Sequence, residues 1–455
     1  MNDTMVDATG VKTGKKRGLL AVVAALAAAL LLQGLPGWNV SHAGETLELR
    51  ALLAEAKDNN PELKALKDKA AAAKARAGAE GALDDPALKV EMMDLSKDHP
   101  LDISPGNAMQ TKYIVTQTFP FPGKLSLKEK MAVKEAYAAS AAYDSKDLEV
   151  AASVKDAYFE YAYLSDSIRI TEEIKTLLSN MSRIAEAKYS VGQASQQDVI
   201  KVNVEITMLA NEIITLEAEK DVAAARLKSI LNRDQGSSLG EPGPLPSDRV
   251  EFKSGDLVET AIRTNPEIKM AEFEAEAAGL ASDLAKKDYY PDFMVGAGPV
   301  QRDGRFDTFD VMFQVTIPLW RGKYDSRAEE AAYNAGSLRS RAVAEKNSKS
   351  FEVKGASIRV EAADRMRTLY ETSLVPQVEL SLESALMNYR AGKIDFLTLL
   401  DTERELKKTR LEYLKTILEY RKKVAALEKA VGEDFKTASA GPSYANSALV
   451  KEDNR

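Results

Sequence analysis

Residues 189–206 read YSVGQASQQDVIKVNVEI, and the order of these residues decides the fold. Tyr189-x-x-Gly192 closes one helix. A glycine just past a helix end adopts the left-handed conformation at little cost, so the chain can reverse. From Val199 a second helix begins. Its apolar residues Val199, Val202, Ile206, Leu209, Ile213, Leu216, Ala223, Leu227 and Ile230 recur in steps of three and four, interrupted only at Lys220. A period of 3.5 residues predicts left-handed supercoiling against neighbouring helices. The reading is an antiparallel hairpin of very long helices, over about 123–191 and 195–232.

The same plan recurs about 200 residues later. Tyr389-x-x-Gly392 repeats the turn, and Leu399, Leu406, Tyr413, Tyr420 and Leu427 repeat the heptads, joined by Ile417, Val424 and Val431. Asn60-Pro-Glu-Leu-Lys64 returns as Asn265-Pro-Glu-Ile-Lys269, Pro86 as Pro291, and Thr118-Phe-Pro120 as Thr316-Ile-Pro318. Ordered matches at so long an offset mark a duplicated domain rather than a solenoid. Each copy is predicted to hold an opening helix (46–80 and 254–287), two strands and a long hairpin. The second hairpin covers 323–391 and 395–432, with Pro376 kinking or interrupting it. Residues 44–235 form the first repeat and 251–432 the second. The Gly-, Ser- and Pro-rich 236–250 reads as a linker and the polar 433–455 as a disordered tail.

The strands, expected at 87–95, 109–119, 291–300 and 307–318, are long enough for a tilted bilayer crossing. In the last, Phe309, Val311, Phe313, Val315 and Ile317 alternate with Asp310, Met312, Gln314 and Thr316. That pattern gives one apolar and one more polar face. Aromatic residues and prolines gather where strands meet helices: Phe119, Pro120, Phe121, Pro122, Tyr289, Tyr290, Pro318 and Trp320. Such rings suit a membrane interface. Four strands cannot close a useful barrel, and open edges are not tolerated in lipid. Either the sheet packs on a soluble core or several chains pool their strands; the duplication and the hairpin lengths favour pooling.

Composition narrows the function. The chain has no cysteine and two histidines, which excludes thiolate chemistry and a His-rich metal site. His42 falls in an expected leader and His99 in an expected outer loop, where it receives no role. Sixty-two basic against 69 acidic residues, net -7, disfavours nucleic acid as a partner. Lys12, Lys15, Lys16 and Arg17 precede the apolar run Gly18–Leu32, and Ser41-His-Ala43 suits cleavage. Residues 1–43 therefore read as a signal peptide. No catalytic, cofactor-binding or metal-ligating constellation is found, so neither an enzyme nor a cofactor is expected.

Duplication, Asn-Pro-Glu helices, strand pairs and Tyr-x-x-Gly tips together resemble the TolC-like outer membrane efflux family over nearly the whole mature chain. The resemblance implies a mainly α fold with a small β part. In it, duplicated helical hairpins form an α-helical barrel, and four strands per chain join a trimeric 12-stranded transmembrane β-barrel. It implies a homotrimer in outer membrane lipid, docked to a periplasmic adaptor and an inner-membrane pump. Gln117-Thr-Phe-Pro-Phe-Pro-Gly-Lys124 resembles the barrel-to-tunnel junction of the heavy-metal CzcC and CusC type, which implies export of metal cations. That junction comprises Phe119, Pro120, Pro122, Gly123, Pro318 and Trp320. Drug or type I protein export shares the architecture, and a pore-less periplasmic coiled-coil scaffold is the reading from another class.

The resemblance also implies sites. The family carries a gate acid six positions after the first tip glycine, where Asp198 stands. In the second copy it carries acids at six and nine positions, where Thr398 and Asp401 stand. Thr398 departs from that pattern, and Asp395 is a nearby substitute. Tyr389 matches a gate tyrosine. Three copies of Asp401 would form a ring favouring cations. Adaptor docking is expected at Tyr189, Gly192, Ala194, Ser195 and Gly392.

Overall fold

The computed structural model describes residues 47–98, 101–252 and 255–435; the expected leader, His99 and the tail beyond Phe435 lie outside them. In the first repeat α1 (Leu49–Asn59) and α2 (Pro61–Glu80) precede β1 (Ala87–Leu95) and β2 (Ala108–Phe119), and α3 (Lys124–Ser190) and α4 (Gln196–Ile230) follow. The second repeat runs α5 (Leu257–Thr264), α6 (Pro266–Lys287), β3 (Asp292–Arg302), β4 (Arg305–Thr316), α7 (Arg321–Leu369), α8 (Val375–Arg390) and α9 (Phe396–Val431). The 67 residues of α3 extend about 100 Å at the helical rise.

The opening helix expected of each repeat is two helices. A proline has no N–H and its ring clashes one turn back, so the helix stops before Pro61 and before Pro266. The asparagine at each break has extended backbone, ψ 123°, and becomes the next helix's cap. Asn60 Oδ1 accepts from the amide of Glu62 at 2.9 Å, and its Nδ2 donates to the Ile230 carbonyl at 3.1 Å. Asn265 does the same with the Glu267 amide at 2.9 Å and the Ala430 carbonyl at 2.8 Å. One side chain thus ties the start of each repeat to its last long helix. Pro376 acts as expected: a π-turn at Tyr370–Leu374 precedes it and separates α7 from α8.

The strands form one antiparallel sheet in the order β1-β2-β3-β4, so the two repeats meet at the β2–β3 pair. Leu88, Val115, Ala297 and Val311 stand opposite one another across all four strands. This face is apolar and open: Val311 is 74% exposed and Phe313 65%. Lys112 and Asp310 lie on the other face and pair at 2.7 Å across β3. Gly298 makes that approach possible, since a Cβ there would lie 1.8 Å from the Tyr113 carbonyl oxygen. Met92 and Met93 point to opposite faces, as strand geometry demands. Among the described residues β1 and β4 pair with nothing on their outer edges.

The segment between the repeats connects them, but it is also held down. Leu47 pairs with Pro242, and the Leu245 amide donates to Asp166 at 2.9 Å. Arg421 donates to the carbonyls of Pro246 at 2.7 Å and Asp248 at 2.8 Å, and the Val250 amide donates to the Tyr420 hydroxyl at 2.8 Å. Asp434 and Phe435, placed in the tail by their composition, are also bonded. Lys155 on α3 meets Glu428 at 2.7 Å and Asp434 at 2.6 Å, and Phe435 stacks on Phe252. Burial alone would lower the pKa of Lys155, but the charges and hydrogen bonds of Glu428 and Asp434 raise it.

Replacing Asn265 with Ala removes a cap and strands a buried carbonyl. The expected loss is about 2 kcal/mol, read as a lower denaturation midpoint of the purified protein. Replacing the exposed Gln193 should leave that midpoint unmoved.

Candidate functional site at the hairpin tips

Both long hairpins reverse through the same hydrogen-bonded motif. Gly192 has φ +74° and Gly392 φ +73°. Gly192 donates to the Tyr189 carbonyl at 2.9 Å and Gln193 to that of Lys188 at 2.8 Å. Gly392 donates to Tyr389 at 3.0 Å and Lys393 to Asn388 at 2.9 Å. These pairs satisfy the last carbonyls of α3 and α8, and a Cβ at either glycine would be strained.

The returning helices are capped at once. Ser195 Oγ accepts from the Asp198 amide at 3.2 Å, and Asp198 Oδ2 accepts from the Ser195 amide at 3.0 Å. This reciprocal box gives Asp198 a structural task besides the expected gate one. Asp395 caps α9 by accepting from the Thr398 amide at 2.9 Å and from the Thr398 hydroxyl. Those bonds, the hydroxyl's first, hold the Asp395 carboxyl below its ordinary pKa. Thr398, where the resemblance implies an acid, is thus the partner of Asp395. Asp401 is exposed and accepts weakly from Arg404 at 3.4 Å. Ala194 is half-buried beside Ser195.

The two tyrosines differ. Tyr189 is 48% exposed, whereas Tyr389 is 5% exposed and lies edge-on to Phe396. Lys188 reaches from the first tip to the second, donating to the Tyr389 carbonyl at 2.6 Å with its ammonium 4.7 Å above the ring. The Tyr389 hydroxyl is buried and, among the described residues, has no hydrogen-bond partner. Burial first, and then the charge of Asp198, raise its pKa. The structure therefore brings Asp198 and Tyr389 close enough to interact, while Asp401 stands about one and a half turns up its helix.

Above the tips the hairpins are laced together by ion pairs. Arg404 holds Glu205 with contacts of 2.7 and 3.3 Å, Lys407 holds Glu212 at 2.9 Å, and Arg410 reaches Glu379 at 2.6 Å and Glu173 at 3.6 Å. Beneath them Leu178, Met181, Leu209, Leu382, Leu399 and Leu406 form an apolar core. Glu403 is buried in the same stretch of α9. The sequence reading passed over it, although a signal was present: the stripe Val431, Val424, Ile417, followed backward by sevens, lands on Arg410 and Glu403.

At the opposite end of α3 the junction motif is built around a lysine. Gly123, at φ +92°, turns β2 into α3. Lys124 then sits buried, 3.0 Å from Asp292 and 3.2 Å from Asp288, and Asp292 also accepts from the Phe121 amide at 2.7 Å. Phe121 stacks on Tyr290 at 4.4 Å, with Lys287 over both rings. Pro120 and Pro122 flank this clasp, and Phe119 closes β2. On the matching side Pro318 leads to Trp320, which is 79% exposed. Lys124, Asp288 and Asp292 were not singled out by sequence, because the two carboxylates come from the other repeat.

The model of the outer membrane efflux protein family matches residues 52–233 and 257–433, the two repeats described above. A nodulation protein T of Rhizobium leguminosarum bv. trifolii is 22% identical over 326 residues, 67% of this chain and 68% of that protein. The cobalt-zinc-cadmium resistance protein CzcC of Cupriavidus metallidurans is 19% identical over 288 residues, 62% and 68% of the two chains. A Haemophilus influenzae protein without assigned function is 23% identical, but the match spans about a third of its length, 34%. Among solved structures, CusC, described with transmembrane channel formation, superposes with a TM-score of 0.73 at 17% identity over 88% of this chain and 97% of its own. The family and its structural neighbours are channels rather than enzymes. With both repeats matched and the fold shared, the chain belongs to the outer membrane efflux protein family.

Proposed function

We propose that the chain is the passive outer membrane duct of a tripartite efflux system, and that its substrates are metal cations. The observation that carries the duct is the sheet. It has an apolar face open from Leu88 to Val311 and, among the described residues, two unpaired edges. Unsatisfied edges are costly in lipid. Three copies that pool four strands each would close them as a 12-stranded barrel. The six long hairpins would then continue inward as a tunnel.

On this reading the tips are the entrance. Asp198 and Tyr389 supply its closed contacts, Asp395 and Thr398 set the start of α9, and Asp401 lines the opening. The turns at Gly192 and Gly392, with Tyr189, Ala194 and Ser195, are the surface offered to a periplasmic adaptor, and an inner-membrane pump supplies the energy. The likeness to CzcC and the junction motif support metal cations as cargo. The poverty of soft ligands, with no cysteine in the sequence, assigns metal choice to the pump and adaptor. The junction clasp at Lys124 holds barrel and tunnel in fixed register, and Trp320 marks the membrane interface.

Reconstituted into planar bilayers, the protein should conduct as a cation-selective pore with three copies per particle. Asp401→Ala should lower that selectivity by several-fold with conductance retained, whereas Asp198→Ala should raise the open fraction. Unchanged currents in both would remove these residues from the entrance. Cells deleted for the gene should become sensitive to zinc, cobalt or cadmium salts and recover with the intact gene. Sensitivity to drugs alone would redirect the cargo assignment to drug export.

A further inference from the structure

Among the described residues Glu403 is the most deeply buried acidic side chain, set in the apolar core beneath the tip seam, and the duct reading does not use it. It is 1% exposed, and among the described residues its Oε2 has no hydrogen-bond partner. On α9 it occupies the buried stripe between Leu399 and Leu406, which pack with Met181 of α3 and Leu382 of α8. Its sequence neighbour Arg404 is committed to Glu205 across the seam, and Lys407 to Glu212. Glu403 therefore sits beside a ladder of satisfied ion pairs without joining it.

An ionised carboxylate in such surroundings costs several kcal/mol unless donors reach it. The groups acting on it are few. From α4, Glu205 repels its charge; on its own helix, Lys407 and Arg404 attract it. Farther along the seam, Glu173 of α3 and Glu379 of α8 are both taken up by Arg410. Tyr389 lies toward the tip with its own hydroxyl buried. Burial first, and then Glu205, push the Glu403 carboxyl from its ordinary 4.5 up to about 7. The π-turn at Tyr370–Leu374 offers a place for α8, and α9 with it, to bend, because the helical ladder is already interrupted there.

We propose that Glu403 is a proton-dependent latch on the seam between the two hairpins: its neutral carboxyl permits the packed tip, and its ionisation releases α9 from α3 and α4. The proposal rests on the reading of the tips as the entrance and names what regulates it. The sign follows from proton binding. The packed form holds the proton more tightly than a released, solvated Glu403 does. Below the ordinary carboxylate range both forms are protonated and pH has no effect. Between about 4.5 and 7 the packed form should lose ground by up to tenfold per pH unit. Above that window the bias is constant, on the order of a hundredfold in total. The entrance is accordingly tightest in acid and loosest at neutral pH and above.

The chain has no cysteine, so Gln193→Cys and Lys393→Cys place one spin label on each exposed tip loop without background. The full-length protein, diluted with unlabelled copies in lipid nanodiscs, is measured by pulsed dipolar spectroscopy from pH 4.5 to 8. The longer inter-tip distance should grow in population across that range. Glu403→Gln, which keeps the shape and removes the charge, should hold the short distance at every pH, and Glu403→Leu should do the same. A pH-independent distance in the parent, or an unaltered pH response in Glu403→Gln, overturns the latch. So does failure of both neutral variants to fold, since the packed tip is assigned to the neutral form. Currents recorded on the same preparations test the duct separately. Spacing that follows pH through Glu403 while the current does not upholds the latch and removes the tips from control of the pore.

Discussion

The structure depends on an asparagine amide used twice. A side chain that accepts from the amides opening one helix and donates to the carbonyl closing another fixes two helix ends with one residue. Helix ends are where the backbone is short of partners. In a chain built largely of helices of 35 to 67 residues, the few ends decide how the rods are arranged. The proline that follows makes the arrangement obligatory, because it forbids a continuous helix and forces the asparagine into the extended conformation of a cap. This is why the Asn-Pro-Glu motif appears in both repeats at the same structural place. It is also why each repeat closes on itself before the sheet joins the two.

The sheet imposes the second constraint. Each repeat pairs its own two strands, but the central pair is contributed by different repeats, so the four-stranded sheet needs both. Lys124 extends that dependence to the helices. Its ammonium, at the start of α3, is neutralised by Asp288 and Asp292 at the end of α6 and the start of β3. A buried cation whose partners lie on the other repeat couples the direction of the long helix to the direction of the strands. Removing one carboxylate would leave that cation poorly compensated, which is costly in a buried setting. Where a proposed barrel must continue into a proposed tunnel, such a coupling is what keeps their axes in register.

Much of this was legible in the chain. Element types and most bounds followed from period and punctuation, and Gly192 and Gly392 from the need for positive φ. What escaped the sequence was contact between distant segments. The 236–250 segment reads as loop by composition, yet Asp166 and Arg421 hold it to α3 and α9 through its backbone carbonyls and amides, which no side-chain pattern reveals. Asp198 and Asp395 were marked for their charge, whereas their spacing from Ser195 and Thr398 also encodes caps. Glu403 was hidden because a charged residue on an apolar stripe reads as an interruption, as Lys220 does. Lys220 escapes by reaching outward to Glu241 at 2.7 Å, and its longer chain makes that possible. Glu403 is shorter and stays inside.

Arg404 links the features of the proposed entrance. It holds Glu205 closely and touches Asp401 only at 3.4 Å, so its charge is shared unequally between the seam and the exposed face of α9. While the seam is packed, Glu205 takes most of that charge, and Asp401 keeps most of its own negative field. If α9 leaves α4, the Arg404–Glu205 pair must break together with Lys407–Glu212, and the freed guanidinium has Asp401 one helical turn away. On the proposed reading of the tips as the entrance, release would therefore widen it and weaken the proposed Asp401 ring by the same movement. On the proposed reading, selectivity for cations belongs to the narrow entrance, and the opened one passes its cargo with less regard to charge.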